Sequence, residues 1–308
     1  MTAATIDNRR ANLIGGLWMI ASMAAFAFED VFIKAASKTL PIGEILMLFG
    51  LGGAITFASV LIINKEPLFV PDVISPPMRA RAGFEIGGRL FYVLAISLTP
   101  LSAATVILQA TPLVVVAGAA LFFGEQVGWR RWTAIIIGMV GVIVIIRPGA
   151  DSFSLLSILA ILGMLGFAGR DLASRAAPKS LSTAILGLYG FLAVIVAGIL
   201  FSLYQRVPLV GLSTETLLIL AGSIIAGVSG YACLMKAMRT GEVSAVTPFR
   251  YSRLLFGIAC GIVLFGETLT LSMIIGSGLI VVSGMFIMAR SRDMKIKPAG
   301  TKKPRAEN

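Results

Sequence analysis

The fold class that the sequence predicts is all-α and integral to a membrane: ten transmembrane helices arranged as two inverted five-helix repeats. Three observations predict it. Of 308 residues, 57% are hydrophobic and only 13% charged, where a soluble domain carries about 25% charged residues. Mean hydropathy is +0.93, so the apolar surplus exceeds what a core needs and must face lipid. Third, a charged stretch recurs inside apolar runs. "FAFEDVFIKAA" (Phe26 to Ala36) and "FAGRDLASRAA" (Phe167 to Ala177) align Phe26, Asp30, Lys34, Ala35 and Ala36 with Phe167, Asp171, Arg175, Ala176 and Ala177.

A membrane-spanning helix needs about 20 mostly apolar residues. Such runs lie near 13–36, 42–63, 83–99, 102–123, 131–147, 154–175, 183–204, 215–238, 243–265 and 269–289. The first follows Arg9 and Arg10. It is too long, and lacks the small-residue cleavage site, for a signal peptide, so it reads as a retained span. "TPLS" (Thr99 to Ser102) and "GET" (Gly266 to Thr268) join their neighbours so tightly that those helices must be antiparallel hairpins. "GLGG" (Gly50 to Gly53) and "GMVG" (Gly138 to Gly141) permit close helix packing. Trp18, Trp129 and Trp132 sit near span ends, where an aromatic belt is expected.

Loop charge orients the spans. Arg9, Arg10, Lys65, Arg79, Arg81, Arg130, Arg131, Lys179, Arg239 and the tail cations fall on one side, against Lys38, Arg147 and Arg206 on the other. The positive side is cytoplasmic, which places both termini there. The tail 291–308 is polar and basic, expected to be disordered and to meet anionic headgroups.

The ends of the halves also align. "LSAATVILQATPLVVVAGAALFFGE" (Leu101 to Glu125) matches "VSAVTPFRYSRLLFGIACGIVLFGE" (Val243 to Glu267), pairing Ser102 with Ser244 and Glu125 with Glu267. A five-helix unit therefore occurs twice, over 13–149 and 154–290. Five is odd, so the second copy is inverted, as in many secondary transporters. Glu125 and Glu267 read as helix-end structural residues.

These features resemble the drug/metabolite transporter superfamily, in particular its ten-helix EamA-like members. "GE" closes the fourth and ninth spans, Pro112 precedes Glu125, and glycines follow each "GE" helix. "PFRYSRLLFGIACGIVLFGE" (Pro248 to Glu267) is similar to a subgroup that includes riboflavin and S-adenosylmethionine importers. Leu254 stands where the family carries its second proline. Phe49 stands where that subgroup often carries an arginine after "PIGE" (Pro41 to Glu44). The resemblance implies a bacterial inner-membrane protein and makes riboflavin a candidate substrate; amino acids and S-adenosylmethionine stay open.

A charge at mid-bilayer costs about 2.5–3.5 kcal/mol on insertion scales, so the charges inside the spans are candidates for function. They are Glu29, Asp30, Glu85 and Asp171 against Lys34, Arg89, Arg170, Arg175, Lys236, Arg250 and Arg253. This positive excess points to a substrate with an anionic or electron-rich group. Asp30 and Lys34 are i,i+4 and can pair, as can Asp171 and Arg175. In inverted halves one pair lies near each mouth, which makes them gate candidates; the alternative is snorkelling to headgroups. Glu85 and Arg89 are a third i,i+4 pair, with Arg89 and Tyr92 candidates for the cavity wall. Glu29 and Arg170 flank the gate pairs, and Asp30, Glu85 or Asp171 could couple protons. Arginine recognises carboxylates and phosphates in a fork. Gln109, Thr111, Arg250, Tyr251 and Arg253 are therefore expected to form a central substrate site. The alternative is that both arginines pair with Glu29, Asp30 or Glu85 and only hold helices together.

Other classes fit poorly. There is no histidine, hence no His-based metal site, relay or triad. No metal or cofactor is expected. Cys233 and Cys260 lie in apolar runs and suggest no disulfide framework. A membrane enzyme would need motifs that are missing, and a channel would need rings of pore-lining residues. The expected partners are a small-molecule substrate and membrane lipid, not nucleic acid; a homodimer is left open.

Overall fold

The structure is a computed structural model that describes residues 3–124, 128–146, 156–178, 180–240 and 247–295. Side chains are described from Ala11 to Phe286 within those ranges, except at Arg131, Ile146, Arg175, Met235, Met238, Arg239, Thr247 and Pro248. Among the described residues every regular element is helical: α1 (Ala3–Ala36), α2 (Ile42–Ile63), α3 (Pro76–Leu98), α4 (Leu101–Leu108), α5 (Thr111–Phe123), α6 (Trp129–Ile146), α7 (Ser157–Ala176), α8 (Thr183–Gln205), α9 (Thr214–Thr240), α10 (Ser252–Phe265) and α11 (Leu271–Lys295). Two short 3₁₀ helices, Pro71–Ile74 and Thr247–Tyr251, precede α3 and α10.

Among the described residues six segments are long and apolar enough to cross a bilayer: Ala11–Ala36, Ile42–Ile63, Leu101–Phe123, Ser157–Ser174, Thr183–Gln205 and Thr214–Leu234. Leu and Ile side chains such as Ile55, Ile63, Leu203 and Leu218 cover their outer surface. With several such helices the chain is a multi-pass membrane protein. α3 misses that composition because it carries Arg79, Arg81, Glu85 and Arg89. α10 is short because the chain preceding it is wound as a 3₁₀ helix.

Helices from the two halves pack against each other in antiparallel pairs: α1 on α9, α2 on α8, α3 on α7, α6 on α11, and α4 on α10. Small residues bring the backbones together, as lipid-embedded helices require. Gly88 and Gly166 face each other so closely that a Cβ on Gly166 would overlap the Gly88 backbone. Ser22 donates to the Gly230 carbonyl at 2.7 Å, locking α1 to α9. The principal core cluster runs from Ile33 and Phe49 through Tyr92, Ile96 and Leu101 to Tyr251 and Ile280, so both halves fill one interior.

The fourth expected span is not one continuous helix. It breaks at Gln109–Ala110 into α4 and α5. Pro112 has no N–H for the Leu108 carbonyl, and the Thr111 hydroxyl donates to that oxygen instead, at 2.5 Å. The chain tightens around the break, with Ala110 N donating to the Ile107 carbonyl at 3.1 Å. The expected ninth span likewise divides into the 3₁₀ turn and α10, and residues 241–246 lie outside the described residues. Both α5 and α10 end on a glycine in the left-handed region, Gly124 (φ 64°) and Gly266 (φ 63°). Only glycine adopts that conformation without strain, and it turns the chain so that Glu267 follows the end of α10.

Candidate functional site

The buried charges gather into three compensated groups, each of which joins more than one helix. The first joins α1, α3 and α10. Asp30 is 1% exposed. Its Oδ2 accepts from the Tyr92 hydroxyl at 2.9 Å and from Arg253 Nη2 at 2.7 Å. One helical residue earlier, Glu29 accepts from Arg89. The Arg89 guanidinium stacks 4.5 Å from the Phe49 ring centroid, and Arg253 stands 5.4 Å from that of Phe26. Two carboxylates thus meet two guanidinium groups in a site lined by aromatic rings.

The second group joins α3 to α7. Glu85 lies 3.5 Å from Arg170 Nη1 and 3.9 Å from Arg81 Nη2. Arg170 makes two hydrogen bonds to Asp171 Oδ1, at 2.9 and 3.0 Å. Arg81 Nε donates to Ser174 Oγ at 2.9 Å, so α3 and α7 are tied by side chains as well as by packing. Arg81, Glu85 and Arg89 follow one another at four-residue spacing, hence on one face of α3. That face supplies members to both groups.

The third closes the face where α1 ends and α4 begins. Lys34 Nζ lies 3.3 Å from Glu267 Oε1 and donates to the Ile96 and Thr99 carbonyls at 3.1 and 2.7 Å. Glu267 accepts from Leu101 N at 2.6 Å, Ser102 N at 2.9 Å and Ser102 Oγ at 2.6 Å. Its carboxylate therefore caps the positive N-terminal end of α4, as a helix dipole favours. Burial alone would raise the Glu267 pKa. The hydrogen bonds from Ser102 and Leu101 and the charge of Lys34 outweigh burial and hold it below the usual carboxylate value.

Several sequence expectations are corrected here. Lys34 pairs with Glu267, not with Asp30, because Asp30 turns inward to Tyr92 and Arg253. Glu85 pairs with Arg81 and Arg170, and its expected partner Arg89 is held by Glu29. Arg81, counted as a loop cation, is 6% exposed. Tyr251 does not join Gln109: its hydroxyl lies against Gly284 of α11. Thr111 satisfies its own helix break. The side chain of Arg175 and the whole of Glu125 lie outside the described residues, and so does the expected Asp171–Arg175 pair.

Gln109 and Arg250 do meet, though through the backbone. Gln109 Nε2 donates to the Arg250 carbonyl at 3.1 Å. That contact bridges the break between α4 and α5 to the 3₁₀ turn before α10. Among the described residues the Arg250 guanidinium is half-buried and has no carboxylate within ion-pair distance. Lys236 is exposed, over the Trp18 ring at 4.4 Å. The positive excess of the spans is thus not cancelled but confined to Arg250, Lys236 and Arg175, the last with its side chain outside the described residues. Glu29 and Asp30 offset Arg89 and Arg253, Glu85 and Asp171 offset Arg81 and Arg170, and Glu267 offsets Lys34. Within each of the three groups the formal charges sum to zero, so none of these groups by itself selects an anionic substrate.

No group of three or more His, Cys, Asp or Glu side chains arranged for a metal occurs among the described residues. A groove of about 440 Å³ lined by Trp129, Arg130, Ile137 and Phe286 opens between α6 and α11, apart from the charged groups.

The EamA-like transporter family matches residues 13–147 and again 155–289. Over 286 residues the chain is 24% identical to the S-adenosylmethionine uptake transporter of Rickettsia bellii (strain RML369-C), covering 92% of this chain and 96% of that one. It is 26% identical over 287 residues to the riboflavin transporter of Vibrio cholerae serotype O1, covering 89% and 93%. It is also 25% identical over 271 residues to the pseudopaline exporter CntI of Pseudomonas aeruginosa (strain UCBPP-PA14), covering 86% and 93%. A solved crystal structure is similar in fold, with TM-score 0.60 at 18% identity over 91% of this chain and 98% of that chain.

Proposed function

Since the chain belongs to the EamA-like transporter family, we propose that it is a secondary transporter moving a small polar metabolite across the bacterial inner membrane by alternating access. Family and relatives alike point to a transporter rather than an enzyme. Riboflavin and S-adenosylmethionine are the first candidates, from the names of relatives; amino acids come next. In this reading the chain crosses the membrane ten times, as inverted units over 13–149 and 154–290, with both termini and the basic tail in the cytoplasm. The units rock about a midplane site.

The observation that carries this reading is the placement of the charges. One compensated group lies toward the ends of α1 and α3, and another lies toward the start of α3 and the end of α7. Charges buried in a membrane persist where they face partners or a pathway. Compensated groups can separate and re-form as each side opens. Glu29, Asp30, Arg89, Tyr92 and Arg253 are the substrate and coupling residues nearest the first group. Glu85, Arg170 and Asp171, with Arg81, serve the second, and Lys34 with Glu267 closes the rim. Gln109 and Arg250 join the two broken helices at the centre.

Counterflow in proteoliposomes tests the reading. Vesicles preloaded with riboflavin or S-adenosylmethionine should take up the labelled compound transiently and saturably. Flux that never saturates favours a channel. Chemical conversion without movement favours a membrane enzyme.

A further inference from the structure

Three polar atoms of the first charged group are buried without a hydrogen-bond partner: Asp30 Oδ1, Arg89 Nε and Arg253 Nε. Buried polar atoms are nearly always satisfied, so each unsatisfied one calls for a reason. These three lie in one group, on the two ion pairs Glu29–Arg89 and Asp30–Arg253. They comprise one carboxylate oxygen and two guanidinium N–H donors. The formal charges of the group sum to zero.

We propose that this junction of α1, α3 and α10 binds the zwitterionic head of an α-amino acid, either free or as part of a larger metabolite. The substrate ammonium sits on Asp30 and Glu29, and its carboxylate sits on Arg253 and Arg89. The proposal rests on the transporter reading above and narrows the substrate class of the same site. Its physical basis is partner exchange. Each internal ion pair already holds one member of either sign. A zwitterion entering between them offers an ammonium to the carboxylates and a carboxylate to the guanidinium groups. Every buried charge keeps an opposite partner, and the site stays neutral. A lone anion or a lone cation would leave one charge uncompensated in a dry interior, which is strongly disfavoured. The unspent atoms supply the hydrogen bonds that the exchange adds. The rings of Phe26, Phe49 and Tyr92 stand beside the two arginines and give the rest of the ligand an apolar wall.

The test is thermal unfolding of the purified full-length protein with the twenty amino acids and S-adenosylmethionine. Each hit is compared with its decarboxylated amine and its deaminated acid, with riboflavin alongside, and counterflow of the same compounds is measured in proteoliposomes. At least one zwitterion should raise the unfolding midpoint, with its amine and acid analogues at least ten-fold weaker. Asp30→Asn and Glu29→Gln should each weaken the response about ten-fold. The series on the unaltered protein stands even if a variant does not fold. Analogues that bind as well as the zwitterion overturn the proposal, as does a panel in which no zwitterion shifts the midpoint. Riboflavin counterflow without any zwitterion response leaves the transporter reading standing and removes the head site. A zwitterion response without counterflow of any compound does the reverse.

Discussion

Gln109 Nε2 donates to the backbone carbonyl of Arg250, 3.1 Å away, and the two residues are 141 positions apart. That separation equals the offset between Asp30 and Asp171. The bond joins the two places where the core helices are interrupted, α4–α5 and the 3₁₀ turn before α10. Gln109→Leu keeps the volume and removes the donor, leaving a buried carbonyl unpaired. The expected loss is about 1–3 kcal/mol, read as a lower unfolding midpoint in detergent, with transport per folded protein falling as well. Unchanged stability and unchanged transport would show that the bond is incidental.

Asp30 and Arg253 form a buried pair, so removing one member should be worse than removing both. Asp30→Ala leaves the Arg253 charge uncompensated and should cost about 3–5 kcal/mol. Asp30→Ala with Arg253→Ala should recover a substantial part of that loss. A double-mutant cycle on unfolding free energies measures the coupling. Additive effects would mean that the two do not depend on each other.

Asp171 tests the gate. In Asp171→Asn the carboxylate that holds Arg170 is lost, while Glu85 remains 3.5 Å from the same guanidinium. Folding should survive and transport should fall at least ten-fold, measured as initial uptake rate. Full transport by this variant would remove Asp171 from any gating or coupling role.

Glu267 carries a definite pH signature. Its folded pKa lies below the usual carboxylate value, so the unfolded chain takes up the proton first as pH falls. The carboxylate's contribution is therefore fully present above the ordinary carboxylate range and is lost as pH drops through the folded value. The stability gap between the unaltered protein and Glu267→Gln should be constant near neutrality and shrink below about pH 4.5. A gap that widens on acidification would contradict the assigned contacts.

Gly166 faces Gly88 at the α3–α7 crossing. Gly166→Leu should force these helices apart, separating Glu85 from Arg170 and lowering both the midpoint and the uptake rate. Gly83, around which there is open space, is the control: Gly83→Ala should be tolerated.

Apolar runs of span length and the paucity of charge predict a multi-pass membrane protein, and the two helices closed by "GE" carry its resemblance to a transporter family. Those properties are written in composition and local order, because lipid imposes its demand on every exposed residue of a helix separately. The repeat alignment of Leu101–Glu125 with Val243–Glu267 likewise set Gln109 against Tyr251, one residue from the Arg250 carbonyl that it meets. Partner choice among the charges was different. The i,i+4 rule describes neighbours on an isolated helix, and it nominated Asp30 with Lys34 and Glu85 with Arg89. In the folded chain each of those carboxylates has a guanidinium from another helix within reach, and interhelical contacts decide the pairing. Asp30 goes to Arg253, 223 residues away, and Lys34 goes to Glu267, 233 positions on. Arg81 looked like a loop cation because its burial depends on α7 lying across it. The sequence by itself thus marked Glu29, Asp30, Lys34, Glu85, Arg89, Arg170, Asp171 and Arg253 as charges in need of partners, and passed over Arg81 and Glu267. Only the tertiary structure decided the pairing, since a buried charge takes the partner that packing brings to it.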